Sequence, residues 1–324
     1  MDETTIRTLR REDFPGVVDL LAESDAVDHQ DRVATVEDLE RDLTYPGYHP
    51  EADTFVAFDG GRLVGYCEQF LRKPAGAGES VFYTWGAVRP AWRRRGVGRR
   101  LLEASLGRAL ERLPEVPEGP VHFHTNGSDR EPDRDALFGS LGMAPIRTYV
   151  NMARPIDGDL PPVELPAGYR LRAMSPERDA ETVWRVDNAA FRDHWGFFGF
   201  PLEEFRVWMT RPSFRPELWI LAEEEGTGQP AGIVLCTIDP DWIGHSGRQE
   251  GWVNTLAVLR EHRHHGLGTA LLVHGMHLLH EGGMDSATLG ADSENLTGAV
   301  RLYERVGFQV RKVHTAYRRT IRET

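Results

Sequence analysis

The sequence predicts an α/β protein built from two tandem copies of one fold, each a mixed sheet flanked by helices. Three observations carry that prediction. A segment near residue 90 recurs near residue 260, strand-like apolar runs precede each occurrence, and a proline-rich stretch separates the halves. With 324 residues, 40% of them hydrophobic, the chain is long enough for two ordinary domains with buried cores.

The repeat comes first, because it sets the architecture. Residues 86–102 read GAVRPAWRRRGVGRRLL and residues 256–272 read LAVLREHRHHGLGTALL, an offset of 170 between positions 86 and 256. Each segment passes from a short apolar run through a basic loop carrying Gly-x-Gly into a stretch of helical periodicity, so each reads as strand, loop, helix. The helices are expected from about Gly98 to Leu113 and from Gly268 to Glu281. In the second, Leu271, Leu272, Met276 and Leu279 recur at helical spacing before Gly282-Gly283 ends it. TIRTLRREDFPGVVDLLAES near the start also resembles YRLRAMSPERDAETVWRVDNAAF from Tyr169. Strand candidates are DTFVAFD, RLVGYCEQFL and SVFYTWGAV in the first half, then LWILAEE, AGIVLCTID and GWVNTLAV in the second. ARPIDGDLPPVELPAG between the halves has no periodicity and reads as a linker. Domains are therefore expected over 1–155 and 168–324, with a linker over 156–167.

Composition narrows the function. A net charge of -12 argues against a nucleic-acid surface and suits a cationic, amine-bearing partner. There is no apolar run of about eighteen residues, and MDETTIRTLRRED is charged from its second residue. Neither a membrane span nor a signal peptide is expected, and the expected location is the cytoplasm. Cys67 and Cys236 stand far apart and read as packed residues. His262, His264 and His265 in the loop, with His274, His277 and His280 after it, lack a carboxylate or cysteine that would complete a tetrahedral set. They read as a solvated face, and no metal is expected.

The loop carries the chemistry. Arg263-His264-His265-Gly266-Leu267-Gly268-Thr269 turns sharply into a helix, leaving several amide N–H groups without internal partners. Such amides, reinforced by the helix dipole, form a site for a diphosphate. Taken alone the pattern is also that of a tight turn into a helix. Its surroundings decide: the preceding strand ends in Leu256-Ala257-Val258, and ADSENLTGAVRLYERVGF follows from Ala291 to Phe308.

Together these segments resemble the GNAT superfamily of acyltransferases, whose loop reads Arg/Gln-x-x-Gly-x-Gly/Ala and whose later block reads Asn-x-x-Ala-x-x-Leu-Tyr-x-x-x-Gly-Phe. Asn295, Ala299, Leu302, Tyr303, Gly307 and Phe308 fit that block with a one-residue stretch. The resemblance implies two GNAT folds with mixed, mostly antiparallel sheets, and an acetyl-CoA-dependent N-acetyltransferase acting by direct transfer to a primary amine of a small molecule. It implies that the amides of residues 264–269 hold the pyrophosphate and that residues 256–258 pair with the pantetheine arm as an added strand. That strand is expected to splay from its neighbour, often at a bulge, and so to admit thioester and amine. Tyr303 is implied as the acid for the departing thiolate. Asn295 either caps the next helix or contacts the cofactor.

The base is less clear. Members often carry a glutamate where this chain has Trp252, so Glu250, on the same face by strand alternation, is the candidate acting through water, and Asn254 could orient the acceptor. Acceptor binding is expected from AAFRDHWGFFGFPLEEF, where Asp193, His194, Trp195, Phe197 and Phe198 either form a lid or plug the core, and from Trp252.

The first half keeps the loop as Arg93-Arg94-Arg95-Gly96-Val97-Gly98-Arg99, after Gly86-Ala87-Val88. Phe138, four residues before Gly142, replaces the tyrosine, and Arg130 replaces the asparagine, so this half is expected to be degenerate, with a second, silent CoA possible in it. The layout resembles the mycothiol synthases, a two-copy branch of the superfamily, but Trp252 removes their expected glutamate and that acceptor is not assigned. An acyl-CoA sensor without turnover is the non-enzyme alternative. A monomer or homodimer is expected.

Overall fold

The structure, a computed structural model, describes all residues except 1–3, 31–33, 43–47, 75–77, 132, 193, 295–297 and 324. The chain divides into two compact units: Met1–Thr148 with His314–Thr324, and Tyr149–Val313.

In chain order the first unit holds β1 (Thr5–Thr8), α1 (Phe14–Asp28), α2 (Val36–Asp42), α3 (Pro50–Asp53), β2 (Thr54–Asp59), β3 (Arg62–Arg72), β4 (Ser80–Val88), α4 (Val97–Glu111), β5 (Val121–Ser128), α5 (Arg134–Gly139) and the start of β6 (Ala144–Pro155). The second holds the rest of β6, β7 (Tyr169–Ala173), α6 (Pro176–Phe191), α7 (Leu202–Trp208), β8 (Trp219–Glu224), β9 (Pro230–Thr237), α8 (Pro240–Ser246), β10 (Glu250–Val258), α9 (Leu267–Glu281), β11 (Ser286–Asp292), α10 (Ala299–Arg305) and the start of β12 (Gln309–Arg322).

Each unit is built on one plan. Strands β1 to β4 run as an antiparallel meander, and so do β7 to β10. The β2–β3 hairpin turns through Gly60 and Gly61 at φ 54° and 82°, the left-handed pair that a two-residue turn needs. A single parallel pair follows in each unit, β4 with β5 and β10 with β11, after the crossover through α4 or α9. Both sheets are therefore mixed and mostly antiparallel, as expected.

The bounds repeat with the spacing of the sequence motif. Strand β4 maps onto β10, Ser80 to Glu250, and helix α4 maps onto α9, Val97 to Leu267, both at the offset of 170. The anchors of α1 and α6 also repeat. Arg7 grips Asp13 while the Arg10 amide donates to the same carboxylate, as Arg172 grips Asp179 while the Ser175 amide donates to it.

The domain bounds differ from the expected ones. Residues 149–155 of β6 pair with β11, and residues 314–322 of β12 pair with β5, so the strand after each copy's last helix completes the sheet of the other unit. Apolar spacing cannot show this, because a strand's periodicity does not name its partner. The 156–167 segment has no helix or strand, yet it is fastened to the second unit. Ile156 is fully buried and its amide donates to Asp285 O at 2.7 Å, and Leu160 and Leu165 pack on the core.

Candidate active site

Both loops fold as the glycines require. Arg94 and His264 adopt left-handed φ of 61° and 67°, and Gly96 and Gly266 adopt 84° and 85° before α4 and α9 begin. Alternating left-handed residues turn successive amides toward one point. The amides of 264–269 make no hydrogen bond with any described residue, and Ala270 N–H is the first to find a helical partner, Gly266 O at 3.1 Å. Likewise the amides of 94–99 are open, and Arg100 N–H bonds Gly96 O at 3.1 Å. Each unit thus gathers six open amides at the N-terminus of a fifteen-residue helix, an arrangement with the geometry and dipole to hold an anion.

The loop arginines bind back to the protein. Arg263 Nε donates to Val258 O at 3.0 Å and its terminal nitrogen to Ala190 O at 2.9 Å, tying the loop to the end of β10 and to α6. Arg93 Nε donates to Val88 O at 3.0 Å and its terminal nitrogens grip Asp28 at 2.6 Å. Both side chains are tied back to the protein, which leaves the loop's amides, with exposed His265 and Arg95, at the surface of the loop. Arg94 pairs with Asp133, and Arg99 with Glu103. Val97 and Leu267 are buried, Gly98 and Gly268 lie close under Val88 and Val258, and Thr269 is half-buried in the first turn of α9.

Ahead of each loop the sheet opens. The β4–β5 pairing stops at Tyr83 and His124, and the β10–β11 pairing stops at Val253 and Leu289, although each strand continues. Gly86, Ala87 and Val88, like Leu256, Ala257 and Val258, thus lie on the free part of their strand. In the first unit this opening is a cavity of about 500 Å³, lined among others by Leu21, Gly86, Ala87, Val88, Arg93 and Phe138.

In the second unit β10 is bulged between Val253 and Thr255, with Asn254 as the extra residue. The bulge breaks the strict alternation. Glu250 and Trp252 share a face with Thr255 and Ala257, while Asn254 projects exposed from the bulge and makes no hydrogen bond with a described residue. Asn254 therefore does not share Glu250's face as alternation alone suggested.

Glu250 is corrected more strongly. Its side chain is 1% exposed and both carboxyl oxygens accept from Arg311. A carboxylate sealed from solvent in a bidentate ion pair is out of reach of an amine or a water, and its charge is held by the arginine. Glu250 is a structural counter-ion.

Tyr303 sits on α10, 8% exposed, against Phe308 with ring centroids 6.3 Å apart. Its hydroxyl makes no hydrogen bond with a described residue, and it is not sealed off from solvent. Burial pushes its pKa up to about 12, which keeps the proton on oxygen at neutral pH. In the first unit Phe138 fills the matching place, packed on Tyr317 at 4.9 Å.

Asn295 and Asp193 lie outside the described residues. His194 and Trp195 are half-buried, and His194 stands edge-on to Phe191 at 4.5 Å. From Phe191 a ladder of rings runs through Phe197, Phe200 and Phe205 to Trp219. The segment is fastened to α6, since the Phe200 amide donates to Asn188 Oδ1 at 3.1 Å and Trp184 Nε1 donates to Phe200 O at 2.7 Å. Its inner half is thus a plug, and its outer half, with half-buried Trp252 on β10, remains at the surface of the unit. Cys67 and Cys236 are free thiols whose pKa burial raises to about 11 and about 12. Among the described residues no group of three His, Cys, Asp or Glu could hold a metal ion, and no helix is long and apolar enough to cross a membrane.

One residue was missed by the sequence reading. Asp187 of α6 is 5% exposed, accepts no hydrogen bond from a described residue, and has its pKa raised to about 7 by burial. The signal lay in the α1 and α6 repeats, where α6 carries a buried acid at a position that is Leu21 in α1.

The Acetyltransferase (GNAT) family matches residues 6–118 and again 182–308. The chain belongs to the GNAT acetyltransferase family. It is a tandem GNAT protein and an N-acetyltransferase, which moves an acetyl group to an amine. A protein named mycothiol acetyltransferase from Thermomonospora curvata is 32% identical over 94% of this chain and 93% of its own length. One of the same name from Thermobispora bispora is 34% identical over 86% of each. Among solved structures, a GCN5-related N-acetyltransferase from Sphaerobacter thermophilus shares the GNAT fold with a TM-score of 0.78, at 24% identity over 99% of this chain and 97% of that one. A tandem GNAT protein from the clavulanic acid biosynthesis pathway does so with a TM-score of 0.71, at 20% identity over 99% and 100%.

Proposed function

We propose that the second unit transfers acetyl from acetyl-CoA directly to the primary amine of a small molecule, and that the first unit does not turn over. The observation that carries this reading is a difference at matching places. Both units keep the open-amide loop and the splayed strand, and only the second adds a protonated, unpartnered tyrosine hydroxyl, Tyr303 in place of Phe138.

The loop amides 264–269 hold the CoA diphosphate. Leu256, Ala257 and Val258, past the end of the β10–β11 pairing, receive the pantetheine arm as an added strand. The bulge at Asn254 opens β10 beside the thioester. Amine attack on the carbonyl carbon forms the C–N bond, the C–S bond breaks, and the Tyr303 hydroxyl protonates the leaving thiolate. Proximity and orientation supply most of the acceleration. Asn295, outside the described residues, keeps its two readings as cap or CoA contact. Half-buried His194 and Trp195, with Trp252, face the acceptor. The first-unit loop, at 93–99, holds at most a structural CoA.

A second reading has a specific observation in its favour. Relatives named mycothiol acetyltransferase align over nearly the whole chain, which supports a cysteinyl amine as acceptor. Trp252, where such enzymes are expected to carry a glutamate, supports a different amine with an apolar part.

Thiol release from acetyl-CoA, followed with a panel of primary amines, tests the assignment. Tyr303→Phe is expected to abolish amine-dependent release while Phe138→Tyr leaves it unchanged. Release that no amine accelerates would favour a sensor.

A further inference from the structure

The second unit lacks a base once Glu250 is sealed by Arg311. A carboxyl that the repeat places at the right spot is available. Helices α1 and α6 align through their Arg–Asp anchors, Asp13 onto Asp179. On that alignment the buried residues Phe14, Val17, Leu20, Leu21 and Ser24 of α1 fall on the buried residues Ala180, Val183, Val186, Asp187 and Ala190 of α6. Five positions agree in burial, and at one of them a leucine has become an aspartate.

The leucine's surroundings are known. Leu21 lines the first-unit cavity together with Gly86, Ala87 and Phe138. Their counterparts in the second unit are Leu256, Ala257 and Tyr303. Leu21 against Asp187 and Phe138 against Tyr303, two places where the units differ in chemistry, thus border one and the same space in the repeated plan. In the second unit α6 packs against β9 and β10, as that plan requires.

Asp187 has the marks of a group kept for a ligand. A buried carboxyl is normally paired, because an unpaired one is expensive. Asp187 is 5% exposed, accepts no hydrogen bond from any described residue, and yet neither oxygen is sealed off from water. No charged neighbour contributes to its pKa, so an ammonium ion is the partner its site lacks.

We propose that the Asp187 carboxylate receives the acceptor's ammonium group and takes its first proton, making Asp187 a catalytic base of the second unit. The inference rests on that unit's being the active one. The step balances. The ammonium gives one proton to Asp187 and becomes a neutral amine, whose lone pair forms the C–N bond. The C–S bond breaks, the thiolate takes the Tyr303 proton, and the second nitrogen proton restores the tyrosine. Asp187 then releases its proton to water. Its elevated pKa, near neutral through burial alone, suits a base that must pick up and return a proton at physiological pH.

The test uses the full chain, acetyl-CoA and four amines: glucosamine, tyramine, spermidine and cysteine methyl ester. Asp187→Leu installs the residue the first unit carries, and Asp187→Asn keeps the shape without the charge. Both are expected to lose about 100-fold in kcat/KM for the best amine, with the KM for acetyl-CoA unchanged. The acidic limb of the wild-type pH profile is expected to vanish, leaving a rate that follows the free-amine fraction. Asp187→Glu is expected to restore the rate to within about tenfold. Wild-type kcat/KM and an unchanged pH profile in Asp187→Leu or Asp187→Asn would overturn the inference. If Tyr303→Phe still loses activity in that case, only the base is wrong. If Tyr303→Phe is also unaffected, or no amine is acetylated by the wild type, the assignment of the second unit falls with it.

Discussion

Both units bring a nine-residue strand to the same loop and the same fifteen-residue helix, yet the strands differ at one residue. In the first unit Thr84 pairs in unbroken register with Gln69 and turns its hydroxyl inward, to Glu68 O at 2.9 Å and Ser105 Oγ at 3.0 Å. Gln69 donates to the Ser105 carbonyl at 2.7 Å, so polar groups beneath β4 tie the sheet to α4. In the second unit Asn254 occupies the matching place, stands outside the register and is exposed. Two copies of one backbone plan have diverged by closing a polar network in one and opening a bulge in the other. The lesson is that the loop alone does not make an acetyltransferase site. On the function proposed above, the strand before the loop and the later helix that carries Tyr303 or Phe138 distinguish the two copies.

The largest expected effect lies at Tyr303. Tyr303→Phe gives the second unit the side chain the first already has at Phe138, and kcat is expected to fall about 100-fold or more. The hydroxyl has no hydrogen-bond partner to strand and the ring is kept, so unfolding midpoints should stay within about 0.5 kcal/mol of wild type. Steady-state thiol release beside a denaturation curve checks both halves of that statement. Equal kcat in the two proteins would erase the distinction between the units.

Next comes the buried ion pair. Glu250 has no charged counterpart in the first unit, where Ser80 holds the matching place at 2% exposure. Arg311→Leu leaves the sealed carboxylate without its partner and is expected to cost about 3–5 kcal/mol in urea denaturation. Adding Glu250→Ser should recover most of that loss, because the uncompensated charge is then gone. If the double variant is as unstable as the single one, Arg311 acts by packing and not as a counter-ion.

Asp187 gives a smaller effect that depends on pH. Its pKa rises from 3.8 to about 7 on folding, so the folded chain holds the proton more tightly than the unfolded one. Stability linked to this group is full below the unfolded value, declines as pH climbs toward the folded value, and levels off above it. The penalty is at most about 4 kcal/mol. Asp187→Leu, which makes α6 resemble α1, should therefore be more stable than wild type near pH 8, with the gap closing toward pH 4. A gap independent of pH would mean that the carboxyl keeps its ordinary pKa.

The sequence made the repeat, the loops and the helices after them legible, because glycine placement and helical apolar spacing are local properties. Strands Thr54–Asp59, Arg62–Arg72 and Ser80–Val88, and their counterparts, followed from short apolar runs between turns. Three features were hidden for physical reasons. The partners of Ala144–Pro155 and Gln309–Arg322 depend on distant pairing. The bulge at Asn254 leaves no trace in an alternating pattern and so misplaced that residue's face. The pairing of Glu250 with Arg311 joins residues 61 apart in sequence, and nothing local distinguishes a sealed carboxylate from a free one. Asp187 was visible in principle, as an acid where the aligned position of α1 carries Leu21, but only once the two helices were set in register.

The smallest expected effect falls on the loops, where the units agree best and where a small difference is the most informative. Gly96 and Gly266 hold φ of 84° and 85°, a region where a side chain costs about 1–2 kcal/mol. An alanine at 96 would meet nothing within 4 Å, and one at 266 would meet only Pro166 Cγ at 3.6 Å, an ordinary contact. Local strain is therefore the same in both, and any difference between Gly96→Ala and Gly266→Ala reports use of the loop and not its fold. A shift of the open amides at 264–269 is expected to raise the KM for acetyl-CoA about tenfold in Gly266→Ala, in line with strain of that size. Gly96→Ala should leave the KM unchanged, since Arg93 and Arg94 there are already held by Asp28 and Asp133 and the first unit has no acid for the thiolate. If Gly96→Ala raises the KM as much as Gly266→Ala does, the first loop takes part in turnover, and the division of labour between the two copies is not the one their side chains suggest.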